Sequence, residues 1–230
     1  MSGASPAIRQ QVLDRIRAAT RNQTGAAGEK HSNGSALPRD YVRHGSLSTE
    51  ARLELMIHRL HEYDAEVAQC APEALVATIA AQLEKSKKRV FVAPAGLPKE
   101  WLAEGFEWRV DQIGQGLTTA EIEQADGVVT TCFCGIADSG TIVLHHSAAE
   151  GRRVLSLLPD WHLCILRASQ VVETLPEYFS RCNQAPALVT WISGPSATAD
   201  IEMTRIKGVH GPRFLHVILV RDDGAEEILH

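Results

Sequence analysis

Between residues 66 and 220 the chain alternates short apolar runs with helix-length segments, and this alternation narrows its possible folds more than any other feature. The runs EVAQC (66–70), RVFVA (89–93), FEWRV (106–110), GVVTTC (127–132) and FLHVILV (214–220) have the lengths and residue types of strands. Among the segments between them, Pro72 opens a helix that carries Leu75, Val76, Ile79 and Leu83 on its apolar face. A short helix is expected over 98–103, and Thr119 caps a helical turn ending near Gln124. Strands separated by helices need crossover connections, which make neighbouring strands parallel and cover both faces of the sheet. From 127 to 166 the runs crowd together, with 127–132, 141–145, 154–158 and 163–166 reading as strands. An antiparallel insertion within or beside the parallel sheet is expected there. Residues 169–181 read as a helix and ALVTWI (187–192) as another buried strand. The class is α/β, with a largely parallel sheet and an antiparallel extension.

Ahead of this body, residues 5–20 place Ile8, Val12, Leu13 and Ile16 at helical spacing. The polar, glycine-rich stretch after them has little to bury. Residues 1–36 are therefore read as a helical arm with a flexible linker, and 37–230 as one domain. Ser48 starts that domain's first helix, with Leu53, Met56, Ile57 and Leu60 on its apolar side. A chain of 230 residues that is 44% hydrophobic can bury a substantial core. Its net charge of -5 argues against nucleic acid as a partner, because phosphate binding needs a concentrated basic face. The one basic run, 85–89, closes a helix and complements its dipole. No apolar stretch reaches the roughly 20 residues of a membrane span, and no secretory signal is visible. Five cysteines without framework spacing fit a reduced, cytoplasmic setting.

Chemistry concentrates in ISGPSATADIEMTRIKGVHGP (192–212), held between the strands 187–192 and 214–220. Glycines and small hydroxyl residues let backbone N–H groups approach a ligand. Pro195 suits a first helical position, which would put Gly194 near the cap and leave the N–H groups of Ser196, Ala197 and Thr198 at the positive end of a helix. With the hydroxyls of Ser193, Ser196 and Thr198, such a site favours a carboxylate or phosphate; an ordinary capped helix start is the plainer reading. Asp200 would orient a hydroxyl or His210, or be an exposed carboxylate. Gly208 and Gly211 bracket His210 just before a strand, where it serves as a general base, an anion contact, or a turn residue with no task.

A second small-residue turn, Asp138-Ser139-Gly140-Thr141, is fully explained by a plain hairpin. It gains interest if it faces the Ser193 segment across the sheet edge. Cys132 and Cys134 fall on one face of an extended segment, and with no second pair they read as small core residues rather than metal ligands. His145 and His146 point to opposite faces, while His58 and His61 share a solvated helix face. No metal site is assigned. There is no phosphate loop, no GxGxxG and no GxSxG elbow.

Four motifs taken in register, GIADSGTIVL (135–144), GRR (151–153) with LLP (157–159), ISGPSATADIE (192–202) and GVHGP (208–212), resemble the LUD-domain family in its lactate-utilization branch. The resemblance runs from about residue 45 to 221. Where the family's turn has threonine, Ser139 stands here and keeps the hydroxyl. The resemblance implies a Rossmann-like fold similar to the sugar isomerase and CoA-transferase group. It also implies a part in oxidising L-lactate to pyruvate beside partner proteins that carry iron–sulfur clusters. The motif positions Ser139, Gly140, Thr141, Ser193, Gly194, Ser196, Thr198, Gly208 and Gly211 become ligand contacts on this view, with Asp200 and His210 as the acid–base candidates.

Three functions follow. In the first, the chain is a component of a lactate-oxidising system that binds a small anion such as lactate. Lacking a flavin, nicotinamide or cluster motif, it holds no cofactor and does not run the redox step alone. In the second, it is a stand-alone isomerase or CoA-transferase-like enzyme acting on a phosphorylated or CoA-linked substrate, with Glu150 the only suggestive nucleophile. In the third, it is a non-catalytic binding module whose N-terminal arm engages partners.

Overall fold

The computed structural model describes residues 10–15, 17–18, 42–182, 184, 186–199, 205–207 and 211–222. The chain divides into two units, Met1–Tyr41 and Val42–His230. In the first, residues 10–15 and 17–18 are helical, and Asp14 accepts hydrogen bonds from Gln10 and Arg17.

The second unit begins with helix α1 (Thr49–Glu62), strand β1 (Glu66–Cys70) and helix α2 (Leu75–Ser86). Strands β2 (Val90–Pro94) and β3 (Glu107–Asp111), helix α3 (Thr119–Glu123) and strand β4 (Gly127–Thr131) follow. Next come β5 (Cys134–Ile136), β6 (Thr141–Leu144), β7 (Trp161–Arg167), β8 (Val171–Val172) and helix α4 (Leu175–Arg181). The last strands are β9 (Thr190–Ile192), β10 (Ala197–Ala199), β11 (Arg205–Lys207) and β12 (Phe214–Val220).

Six strands pair in the order β1-β12-β7-β4-β2-β3, every neighbour parallel. Its central strands are almost wholly buried, as a parallel sheet covered on both faces requires. On one face α2 sets Leu75, Ile79 and Leu83 against Phe91, Val129, Leu163 and Ile218. On the other, Leu53, Met56 and Leu60 of α1 meet Ile142, Leu144, Leu166, Leu215 and Val217. Beside them Ile122 of α3 packs on Val92, Val128 and Leu155. Each large apolar side chain buried in this way contributes roughly 1.5–3 kcal/mol.

The antiparallel extension is a second sheet of order β8-β5-β6-β9. Its β5-β6 and β6-β9 pairs are antiparallel, and β8 is parallel to β5. Inward residues of β6 face the main sheet, while Val143 joins Cys134, Ile136 and Tyr178 on the outer side under α4. Helix ends are capped as the residues dictate: Ser48 accepts from the Ala51 amide, and Thr118 and Glu121 cap each other at α3. Among the described residues no helix is long and apolar enough to cross a membrane.

Two expected elements differ. Residues 154–158 are not a strand; Arg153–Ser156 forms a single 3-10 turn. One turn suffices to drop Leu155 among Val92 and Ile122. The expected helix over 169–181 is split. β-branched Val171 and Val172 pair instead with Gly135 and Ile136, and the helix starts only after Thr174, whose amide Glu177 accepts.

Candidate functional site

The two small-residue turns meet. Ser139 Oγ lies 2.8 Å from Thr141 Oγ1, which lies 2.7 Å from Ser193 Oγ, so three hydroxyls form one chain across the β6-β9 edge. Both turns sit on the last residues of α1 and its cap. A Cβ on Gly140 would fall 2.7 Å from Arg59 Cβ, and one on Gly194 2.4 Å from Tyr63 Cβ. Both glycines also take positive φ, 60° and 84°. Only glycine satisfies the conformation and the contact together. Arg59 Nε further donates to the Asp138 carbonyl at 3.1 Å.

The Ser193 segment is not a helix start. The chain leaves β9, turns through Gly194 and Pro195, and continues extended into β10, which pairs antiparallel with β11. The Ser196 amide, expected as a free donor, gives its hydrogen bond to the Pro212 carbonyl at 2.8 Å. Proline and hydroxyl residues serve a tight turn as well as a helix cap, and here the long-range partner decides. Thr198 lies in β10. Asp200, Gly208 and His210 lie outside the described residues.

Between this turn and the main sheet lies a cavity of about 390 Å³. Ser193, Gly194, Ser196 and Gly211 line it, with Ser156, Thr190 and His162 as further polar residues and Leu157, Ile192, Pro195, Pro212 and Leu215 among the apolar ones. That volume suits a small molecule, and few polar groups in an apolar wall fix its orientation. Among the described lining residues there is no Asp, Glu, Lys or Arg. The one titratable group, His162, is buried; burial pushes its imidazole down to about 4, so it is neutral, and its Nε2 lies 2.8 Å from Thr130 Oγ1. At the described lining residues a ligand would meet hydroxyls, backbone and a neutral ring.

The usual ligand crevice of a parallel sheet, at the carboxyl ends of the strands where chain order reverses, lies here between β2 and β4. It is closed by the turn that leaves β6. The Gly96 amide donates to the Ala148 carbonyl, a Cβ on Gly96 would meet Ala148 at 2.5 Å, and the Thr131 amide donates to Ala149. Glu150 braces that turn by accepting the amides of His145 and Ser147. Burial raises its carboxyl above the ordinary value, with the amide donors working against that. The glutamate that a CoA-transferase mechanism would use as nucleophile is thus enclosed and committed to the backbone. His145 stacks on Phe133 with centroids 3.7 Å apart and meets Tyr178 OH at 2.9 Å. Beside the crevice, buried Asp111 pairs with Arg152 through two hydrogen bonds of 2.6 and 2.8 Å and accepts the Leu117 amide.

Cys132 and Cys134 do not share a face. The chain bends at Phe133, sending Cys132 into the core beneath α1 and Cys134 to the outer face under Tyr178. The roles of His162, Thr130 and Thr190, and the partners of His146, were not expected from the sequence. Its only signals were a histidine inside the apolar run WHLCIL and a histidine pair closing a strand.

A largely parallel six-stranded sheet with an antiparallel second layer, and a cavity walled by hydroxyls and glycine backbone between them, defines the chain as a mixed α/β domain. Residues 53–220 match the LUD domain, and the chain belongs to the LUD domain family. It is 38% identical to lactate utilization protein C of Deinococcus radiodurans over 82% of this chain and 88% of that one. With lactate utilization protein C of Bacillus subtilis it shares 37% identity over 55% of each chain. The crystal structure of a DUF162 family protein from Deinococcus radiodurans superposes with a TM-score of 0.62 at 36% identity, covering 76% of this chain and 99% of that one.

Proposed function

We propose that this protein takes part in lactate utilization by holding a small 2-hydroxy or 2-oxo carboxylate in the cavity beneath the Ser193 turn. The observation that carries the reading is the meeting of the two family turns, through Thr141 and Ser193, at the wall of a cavity of about 390 Å³. Support for the lactate system comes from relatives named for lactate utilization. Hydroxyl and amide donors bind a carboxylate through charge-assisted hydrogen bonds. Asp200 and His210 are assigned acid–base roles on their place in the motifs. Oxidising lactate releases two electrons, and we assign their acceptance to partner proteins carrying iron–sulfur clusters.

The test has two arms. A strain lacking this chain should fail to grow on L-lactate and recover with the wild-type copy; normal growth would sink the biological half. In vitro, L-lactate or pyruvate at 100 times its dissociation constant should stabilise the protein by about 2.7 kcal/mol. Asp200→Ala and His210→Ala should lose that stabilisation while melting as folded proteins.

A further inference from the structure

His146 holds a left-handed backbone conformation, φ 60°, uncommon for any residue but glycine. Held so, its ring spans two partners. Nδ1 lies 2.9 Å from the Gly151 carbonyl oxygen and Nε2 2.8 Å from Thr190 Oγ1. A carbonyl oxygen only accepts, so Nδ1 carries the ring proton. In the neutral imidazole Nε2 is then the acceptor, and the proton between it and Thr190 comes from the threonine hydroxyl. Thr190 has spent its donor inside the protein. Its oxygen has only lone pairs left to offer.

Thr190 is one of the residues that line the cavity. On β9, Trp191 turns outward onto Tyr178, with centroids 4.8 Å apart, while Ile192 packs against the core beneath α1. Strand alternation gives Thr190 the same inward side as Ile192, and it lines the cavity. We infer that Thr190 Oγ1 accepts a hydrogen bond from the hydroxyl of a bound 2-hydroxy acid, and that the site thereby prefers the hydroxy acid to its 2-oxo counterpart. This rests on the small-carboxylate reading above and adds which oxidation state the cavity selects. A ketone oxygen at this place would face another acceptor with no proton between them, a desolvated mismatch that hydrogen-bonding sites reject strongly. His146 is a positioning residue: it acts through Thr190 by fixing where the hydroxyl proton points, and Gly151 fixes His146.

The experiment is calorimetric titration of the full chain with L-lactate and with pyruvate, beside nitrogen NMR of the histidine rings. Wild type should bind L-lactate roughly tenfold or more tighter than pyruvate. Thr190→Val, similar in shape without the hydroxyl, should bring the two ligands to near-equal affinity, and Thr190→Ser should restore the preference. The ring of His146 should show the Nδ1-protonated tautomer in the ligand-free protein. Pyruvate binding as tightly as lactate in wild type, or a lactate preference that survives in Thr190→Val, overturns the inference and leaves the cavity reading standing. An Nε2-protonated ring overturns it whatever binds. If wild type binds neither compound, the small-carboxylate reading falls and takes this inference with it.

Discussion

Acidification from pH 6.5 to 4 is expected to weaken this fold by about 3 kcal/mol through His162 alone. The residue is 1% exposed, and burial lowers its imidazole from 6.5 to about 4. Once the chain unfolds, the ring returns to its ordinary value near 6.5. Between the two values the unfolded chain binds a proton that the folded chain refuses. The contribution is therefore complete above about pH 6.5, declines as pH falls through the window, and is gone below about 4. Near pH 5 the difference approaches one proton, a slope of about 1.2 kcal/mol per pH unit. Urea unfolding at closely spaced pH values, run on wild type and on His162→Gln, isolates this contribution. Carboxylates and the other histidines titrate alike in both proteins and cancel in the subtraction. If the two stability curves run parallel from 6.5 to 4, His162 takes up its proton in place, and the neutral ring in the cavity wall is refuted.

Substitutions at four positions test the packing around the site. Gly194→Ala places a Cβ against Tyr63 on a backbone of φ 84° and should cost about 1–3 kcal/mol, read as a lowered melting temperature. Thr141→Val removes the middle member of the Ser139-Thr141-Ser193 chain and should cost about 1–3 kcal/mol in urea, with Thr141→Ser close to wild type. The Asp111–Arg152 pair should be asymmetric, because the Arg152 side chain is 51% exposed and that of Asp111 only 4%. Arg152→Met strands a buried carboxylate and should cost about 3 kcal/mol, whereas Asp111→Asn keeps an acceptor for Leu117 and should cost about 1 kcal/mol. Equal losses in urea would contradict that account.

What could be read from residues alone follows their range of interaction. Strands β1, β2, β4 and β12 and helices α1 and α2 were legible because each carries its own apolar pattern, with Ser48 capping α1. The two-residue β8 was not, since two β-branched residues are too short a local signal to end a helix; pairing with β5 decides it. The Ser193 turn was misread as a helix start for the same reason, its deciding partner being Pro212. The meeting of the two hydroxyl turns was anticipated as a possibility because both are dense in small residues. The His146–Thr190 and His162–Thr130 contacts were not, because strand order brings them together and no spacing rule encodes it.

The sheet also orders events in time. Among the described strands β1 lies at the edge and pairs with β12 alone, with Glu66 opposite His216. A ribosome delivers residues 66–70 long before 214–220, so the first strand made must wait for the last before it can pair. The half-built chain therefore carries an unpaired strand until synthesis has passed residue 220, and closure of this long-range pair is expected to be a slow, late step of folding. A stop codon just ahead of Phe214 would remove one strand from the sequence but two from the sheet, and with them the wall that Leu215 gives the cavity.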